Sequence, residues 1–115
     1  MQLKHHRTLD AAAWAKYSKT QQILMIANEL NRAGNWLIKN DLTEVKYCYE
    51  RALELIYLTA GDLHQPGKTR ELMRLKEILA NHYAHKTFNP KQNAALIKAL
   101  LLLDPPAWML LHKKD

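Results

Sequence analysis

Two histidines, His82 and His85, have the spacing that could place a metal ion on the surface of a helix. Side chains three residues apart lie on one face, so both imidazoles could coordinate one ion. A site needs further ligands, and the nearest preceding carboxylate, Glu77, lies off that face. The alternative is that both are solvent-edge residues near a helix C-terminus, where positive charge suits the dipole. We expect that alternative, and we predict no metal and no cofactor.

No other residues have the types and spacing of a catalytic site. The single cysteine, Cys48, falls on the apolar stripe of a predicted helix, where a small buried hydrophobe is expected rather than a reactive thiol. His5 and His6 lie in a cationic N-terminal segment, which we interpret as a solvated tail. We therefore predict no catalytic residue, and we expect that the protein is not an enzyme.

A basic cluster lies at the start of the third long helix that the sequence predicts. Its members are Lys68, Arg70, Arg74 and Lys76. Two of them, four residues apart, share one face, where like charges repel unless an anion is nearby. The anion could be an acidic surface of the preceding helix, with Glu50 and Glu54, or the phosphates of a nucleic acid. We favour an internal or merely solvated role for the cluster.

Several apolar and aromatic residues lie off the main apolar stripes of their predicted helices. They include Trp36, Tyr47, Leu53 and Tyr57. One face of two helices cannot bury all of them, so they either meet the remaining helices or form an apolar surface of the kind that marks an interface. In a compact bundle most would join the core. A groove or homodimer surface built from these four residues is the sharper hypothesis.

The sequence also predicts a helical hairpin. Ser18 followed by Gln21, and Asp41 followed by Glu44, have the spacing of a capping box, which marks the start of a helix. Apolar residues after each box recur at i, i+3, i+4 and i+7, as in an amphipathic helix. The short link between the two stripes makes the helices antiparallel. The long helices are predicted at residues 19–39, 42–60, 68–86 and 90–103.

The remaining signals complete an all-α prediction. Gly61 is expected to end the second long helix, while Asn89 and Pro90 stand where a cap and a first helical residue open the fourth. The fourth helix has the broadest apolar face and should be the most buried. Matching stripes and short links predict an up-and-down four-helix bundle with short flanking N- and C-terminal helices. We divide the chain into an N-terminal arm or short helix, 1–17, and one bundle domain, 18–115.

Composition narrows the class of protein further. Apolar residues make up 48% and charged residues 24%, a globular balance that argues against disorder. The net charge of +6 is uneven, because residues 41–62 carry two basic and five acidic side chains while residues 63–103 carry seven and two. The most apolar stretch, 94–103, is about half as long as a membrane crossing requires. No signal-peptide pattern is visible, so we expect a cytoplasmic protein without a membrane partner.

Part of the hairpin resembles one tetratricopeptide repeat. Ala33, Trp36, Tyr49 and Ala52 fall where that repeat places small and aromatic packing residues. No closing proline and no second copy follow at the period of about 34 residues, which argues against a solenoid.

The overall plan is also similar to that of the flagellin export chaperones, small four-helix cytoplasmic proteins that wrap a helix of an unfolded partner. The similarity lies in the capped helix start at 18–21 and the turn at 39–41. Both resemblances concern shape and assign no family.

The functional hypothesis is a protein–protein interaction module: an adaptor, a chaperone-like protein or a homo-oligomer. Its partner, another protein or a second copy of the chain, would bind an apolar groove as a helix. The alternative is a nucleic-acid-associated accessory protein that uses the basic cluster together with Lys91 and Lys98. A metal-dependent enzyme at His82 and His85 is a more distant alternative.

Overall fold

Helix follows helix along the whole described part of the chain, residues 10–62 and 66–111 of a computed structural model, and that part contains no strand. The six helices in these two ranges are α1 (Ala11–Ala15), α2 (Lys19–Ile38), α3 (Leu42–Asp62), α4 (Pro66–His85), α5 (Pro90–Leu101) and α6 (Pro105–Leu111). Helices α2 and α4 each pack against α3 and α5, so the four long helices close a ring. Helix α1 lies on α3, and α6 lies on α2 and α5. The predicted all-α bundle with short flanking helices is confirmed.

Among the described helices, five begin at caps on polar side chains, supplied by Asp10, Ser18, Asp41, Asn89 and Asp104. Ser18 Oγ accepts the amide of Gln21 at 3.1 Å, while Gln21 Oε1 accepts the amide of Ser18 at 2.8 Å, a complete capping box. Asn89 Oδ1 accepts the amides two and three residues further on, at 2.8 and 3.1 Å. Asp104 Oδ2 caps α6 and also accepts the Thr20 hydroxyl at 2.7 Å, which ties α6 to α2. The predicted starts of α2 and α5 are confirmed.

The turn between α2 and α3 is a Schellman motif followed at once by a new cap. Asn40 has a φ of 58°, in the left-handed region. The amides of Asn40 and Asp41 donate to the carbonyls of Leu37 and Trp36, both at 3.0 Å, which satisfies the end of α2. Asp41 Oδ1 then accepts the amide of Glu44 at 3.2 Å. Two helices can therefore reverse direction over three residues.

Three boundaries differ from the prediction by two residues: the end of α3, the start of α4, and the end of α5, which lies at Leu101 rather than at residue 103. Helix α3 continues through Gly61 to Asp62, so Gly61 does not end it. A glycine stops a helix when it takes a positive φ, and no described glycine does so. Helix α4 begins at Pro66, whose fixed φ suits a first helical turn. Residues 63–65, part of the predicted loop, lie outside the described ranges, as do His5 and His6.

The most buried helix is α3, which corrects the expectation that the fourth long helix would be. Helix α3 is covered on three sides, by α1, α2 and α4. Helix α5 leaves Leu102, at its C-cap, 60% exposed. The buried residues of α3 are Val45, Cys48, Tyr49, Ala52, Glu54, Leu55, Ile56, Leu58 and Thr59.

Helix α1 is held onto α3 by one large side chain. Trp14 is fully buried, and its indole Nε1 donates to Thr59 Oγ1 at 3.0 Å. The Thr59 hydroxyl donates in turn to the carbonyl of Leu55 at 2.9 Å. Buried Gln22 donates from Nε2 to the Trp14 carbonyl at 3.0 Å. The described part of the N-terminal segment is therefore packed on the bundle through an aromatic anchor whose polar atom is paired.

Helix α4 buries only a narrow stripe, and this shapes the surface of the molecule. Its buried residues are Leu72, Leu75 and Leu79. Ile78 is 45% exposed, although the spacing of apolar residues in 68–86 predicts that it faces inward, and Tyr83 is half-buried. A stripe of this width lets a helix pack between two neighbours but leaves the spaces beside it unfilled. Both flanks of α4 are therefore bordered by cavities.

Candidate functional site

A cavity of about 470 Å³ lies where the beginning of α3 meets the end of α4. Aromatic and aliphatic side chains form most of its walls, and two lysines belong to its lining. We call it the Tyr47 cavity. Its lining residues are Leu42, Thr43, Lys46, Tyr47, Tyr83, Ala84, Lys86 and Phe88.

A second Schellman motif shapes one side of the Tyr47 cavity. Lys86 has a φ of 54°, and its amide donates to the carbonyl of Tyr83 at 3.3 Å. The amide of Thr87 donates to the carbonyl of His82 at 3.0 Å. This sharp end of α4 turns the chain so that Phe88 becomes part of the cavity wall. The wall is thus set by backbone hydrogen bonds rather than by a free loop.

Two tyrosines beneath and beside the cavity are fixed by polar or aromatic partners. The phenol of Tyr83 donates a short hydrogen bond to the Glu50 carboxylate. That bond, with burial as a second cause, raises the pKa of Tyr83 to about 12. The ring of Phe88 meets the ring of Tyr49 edge-on, with centroids 5.3 Å apart. The rings of Tyr83, Tyr49 and Phe88 are therefore held in defined positions by contacts within the bundle.

The apolar surface extends from the cavity to the α2–α3 turn. Leu42, a cavity residue, is 49% exposed, and Ile38, on the last turn of α2, is 81% exposed. Trp36 is half-buried against the core, and the Lys39 ammonium lies 5.0 Å from the centre of its ring. This end of the bundle thus combines exposed apolar groups with cations.

The structure does not bring the four predicted surface residues together. Tyr47 lines the cavity just described, whereas Tyr57, 41% exposed, lines another cavity of about 500 Å³ further along α3. Leu53 and Trp36 are half-buried and pack against the core. The predicted interaction surface therefore resolves into separate places, of which the Tyr47 cavity has more aromatic and cationic residues in its lining than the cavity that contains Tyr57.

The basic cluster is divided between the two flanks of α4. Lys68, Arg70 and Arg74 are exposed, while half-buried Lys76 lines the cavity that contains Tyr57. Arg74 Nη1 lies 3.9 Å from Glu71 Oε1, an exposed pair that contributes little to stability. The four cations therefore do not present one continuous face.

The two histidines each make a local hydrogen bond through Nδ1. His82 Nδ1 lies 3.0 Å from the hydroxyl of Thr87, and His85 Nδ1 lies 3.0 Å from the carbonyl oxygen of Asn81. Among residues 10–62 and 66–111, no three His, Cys, Asp or Glu side chains are grouped so that they could hold a metal ion.

Cys48 is fully buried in the core and contacts a charged network. Arg51 Nη2 donates to Cys48 Sγ at 3.2 Å, and Arg51 Nε donates to Glu29 Oε1 at 3.0 Å. Arg32 lies 3.5 Å from the other Glu29 oxygen. Burial raises the pKa of the Cys48 thiol, and the arginine only partly offsets this effect. A buried thiol with a raised pKa is a poor nucleophile.

Among the residues that line this cavity, the sequence analysis named only Tyr47 as a site residue, and it missed the two other aromatic residues, Tyr83 and Phe88, and Lys86. The position of Tyr83 in the helix period predicts a core residue, and the other two follow the end of α4, where periodicity carries no information. The positive φ of Lys86 has no sequence signal, because glycine or asparagine is the usual residue at that position.

No family model, curated protein or solved structure matches this chain. Among the described helices, none has the length and apolar character that crossing a lipid bilayer demands.

Proposed function

We propose that the chain is a protein–protein interaction module, and that the Tyr47 cavity receives an apolar side chain from a partner segment that also carries carboxylates. One observation carries the proposal: an open, aromatic-walled cavity lies between two lysines on a fixed part of the bundle. Buried anchor residues in such pockets supply most of the binding energy of protein interfaces.

The shape and chemistry of the cavity support an apolar anchor. Tyr47, Tyr83 and Phe88 supply broad, rigid surfaces, and aromatic residues are enriched at interface cores. The exposed side chains of Ile38 and Leu42 extend the apolar area beyond the cavity itself. A partner that covers this area removes apolar surface from water on both sides.

The charges around the cavity support an acidic partner. Lys46 and Lys86 belong to the lining, and Lys39 lies at the same end of the bundle. Carboxylates on either side of the anchor would meet these ammonium groups at the solvated rim. Rim charges mainly speed association and select partners, so their effect should weaken with salt.

A selection from a peptide-display library on the immobilised protein tests this proposal. We expect enriched peptides with one large apolar residue flanked by Asp or Glu. In calorimetric titration, Tyr47→Ala should weaken these peptides about 30-fold, because truncating an anchor pocket costs about 2 kcal/mol. Lys46→Glu should weaken them more at low salt than at high salt.

Tyr57→Ala is the matched control, since it removes the same side chain from another cavity of α3. Peptides that bind Tyr47→Ala as tightly as the wild type would refute the proposal. So would a selection in which no sequence pattern emerges.

A further inference from the structure

A further open cavity, of about 390 Å³, lies on the flank of α4 that faces α5. It is separate from the Tyr47 cavity, which lies on the flank that faces α3. We call it the α4–α5 groove. Its lining residues are Arg74, Leu75, Ile78, His82, Gln92, Ala95, Leu96 and Ala99.

The floor of the α4–α5 groove is apolar and shallow on the α5 side. Ile78 is 45% exposed there, although its position in the helix period suits a core residue. Ala95 and Ala99 are exposed and lie one turn apart on α5. Beyond them, Leu102 is 60% exposed and continues the same side of the helix. A large isoleucine facing small alanines leaves room for a helix to approach closely.

The rims of the groove are cationic. On α4, the Arg74 side chain is 67% exposed, and His82 lines the groove one turn beyond Ile78. On α5, exposed Lys91 and Lys98 lie one turn before and after Ala95. The acidic residues of α4 that are close to the groove in sequence are Glu71, which lies 3.9 Å from Arg74, and exposed Glu77. The rims therefore carry a net positive charge.

We infer that the α4–α5 groove docks an amphipathic helix from a partner protein, with apolar residues on the docking face and Asp or Glu along both edges of that face. The lining runs from Arg74 to His82 on α4 and from Gln92 to Ala99 on α5, roughly 10–12 Å along each helix axis. Two to three helical turns of a partner fit this length, with anchors at i, i+4 and i+7.

Two other occupants fit these features less well. A nucleic acid would satisfy the cationic rims, but its phosphates would leave the Ile78 and alanine floor without an apolar partner. A second copy of the chain carries the same net charge of +6. Within the described ranges, its most acidic helix, α3, has Glu54 buried and Glu50 bonded to Tyr83. An acidic helix from another protein is therefore the best match.

Two synthetic peptides of 16 residues test this inference. One is a fluorescein-labelled amphipathic helix with leucines on one face and glutamates on both edges, and the other replaces every glutamate with lysine. In fluorescence anisotropy, the acidic peptide should bind at least tenfold more tightly than the basic one. Ala95→Glu should weaken the acidic peptide at least tenfold, because it places a carboxylate on the groove floor.

Ala94→Glu is the matched control, since it adds the same charge at an exposed alanine of α5 outside the lining. It should bind the acidic peptide like the wild type. The loss caused by Ala95→Glu should also be measured in a Tyr47→Ala background, which removes an aromatic wall of the Tyr47 cavity. A peptide that is released by Tyr47→Ala but not by Ala95→Glu would bind that cavity and would refute the inference. Circular dichroism confirms that each variant is folded.

Three further results would overturn the inference. The first is no binding of the acidic peptide, or equal binding of both peptides. The second is displacement of the acidic peptide by a labelled oligonucleotide duplex whose own binding is lost in Ala95→Glu. The third is a dimer of the free protein by light scattering that Ala95→Glu converts to monomer while Ala94→Glu does not.

Discussion

At the scale of single residues, Asn93 joins three helices through one buried amide. Its Nδ2 donates to the carbonyl of Leu30 on α2 at 2.9 Å, and its Oδ1 accepts the phenol of Tyr49 on α3 at 2.9 Å. Only 2% of Asn93 is exposed. A buried polar group with its partners satisfied fixes how α5 sits against the other two helices. Gly34 lies opposite, where an added Cβ would be 3.1 Å from Asn93 Nδ2.

The effect of Gly34→Ala on the free energy of unfolding should have opposite signs when residue 93 is asparagine and when it is alanine. Alanine normally stabilises a helix interior by about 1 kcal/mol over glycine. Here the new methyl group would press on Asn93, which cannot move without lengthening both hydrogen bonds. We expect Gly34→Ala to lower the free energy of unfolding by about 1 kcal/mol in the wild type. In an Asn93→Ala background, Gly34→Ala should raise the free energy of unfolding by about 1 kcal/mol.

Urea denaturation of the four proteins in this double-mutant cycle measures both effects. Asn93→Ala alone should cost about 2–3 kcal/mol, because it leaves two buried polar atoms without this partner. The same sign for Gly34→Ala in both backgrounds would show that Asn93 does not hold its position rigidly.

At the scale of helices, two Schellman motifs end α2 and α4 on residues other than glycine. Asn40 and Lys86 both take a positive φ, at 58° and 54°. A left-handed conformation costs an ordinary L-residue about 1 kcal/mol or more, but asparagine accepts it more readily. Both turns keep this conformation because two backbone hydrogen bonds hold each of them.

Lys86→Gly should therefore stabilise the protein by about 1 kcal/mol, and Asn40→Gly by about half of that. Glycine removes the strain in the folded state, and its greater freedom in the unfolded chain offsets part of the gain. Thermal and urea unfolding of both variants measure the difference. A larger gain at Asn40 than at Lys86 would contradict the assignment of strain to the lysine.

At the scale of the whole molecule, features that depend on neighbouring residues could be predicted from the sequence, whereas features that depend on the packing of distant segments could not. The caps at Ser18, Asp41 and Asn89 act on amides within one turn, so their spacing alone placed the helix starts. The exposure of Ile78 depends on how α4 sits between α3 and α5, which no window of sequence contains. The prediction that Gly61 ends α3 was wrong for a related reason, because the presence of a glycine does not determine its φ.

The candidate site shows the same division. Tyr47 could be singled out from the sequence as a candidate surface residue, because it lies off the stripe of its own helix. Tyr83, Lys86 and Phe88 come from about 40 residues further along and meet Tyr47 only because α4 returns antiparallel to α3. A cavity between helices is a property of their packing, and the residues of one helix cannot specify it.

The fold as a whole is coupled to alkaline pH through two tyrosines. Burial raises the pKa of Tyr49 to about 12, and the hydrogen bond to Glu50 does the same for Tyr83, from a reference value of 10.0 for both. The folded state thus holds these protons more tightly than the unfolded state. Its stabilisation is complete below pH 10 and is lost as the pH rises toward 12.

We expect urea midpoints to fall over this window more steeply in the wild type than in Tyr49→Phe/Tyr83→Phe. Tyr57→Phe is the matched control. Equal slopes in the wild type and the double variant would show that neither phenol provides this coupling.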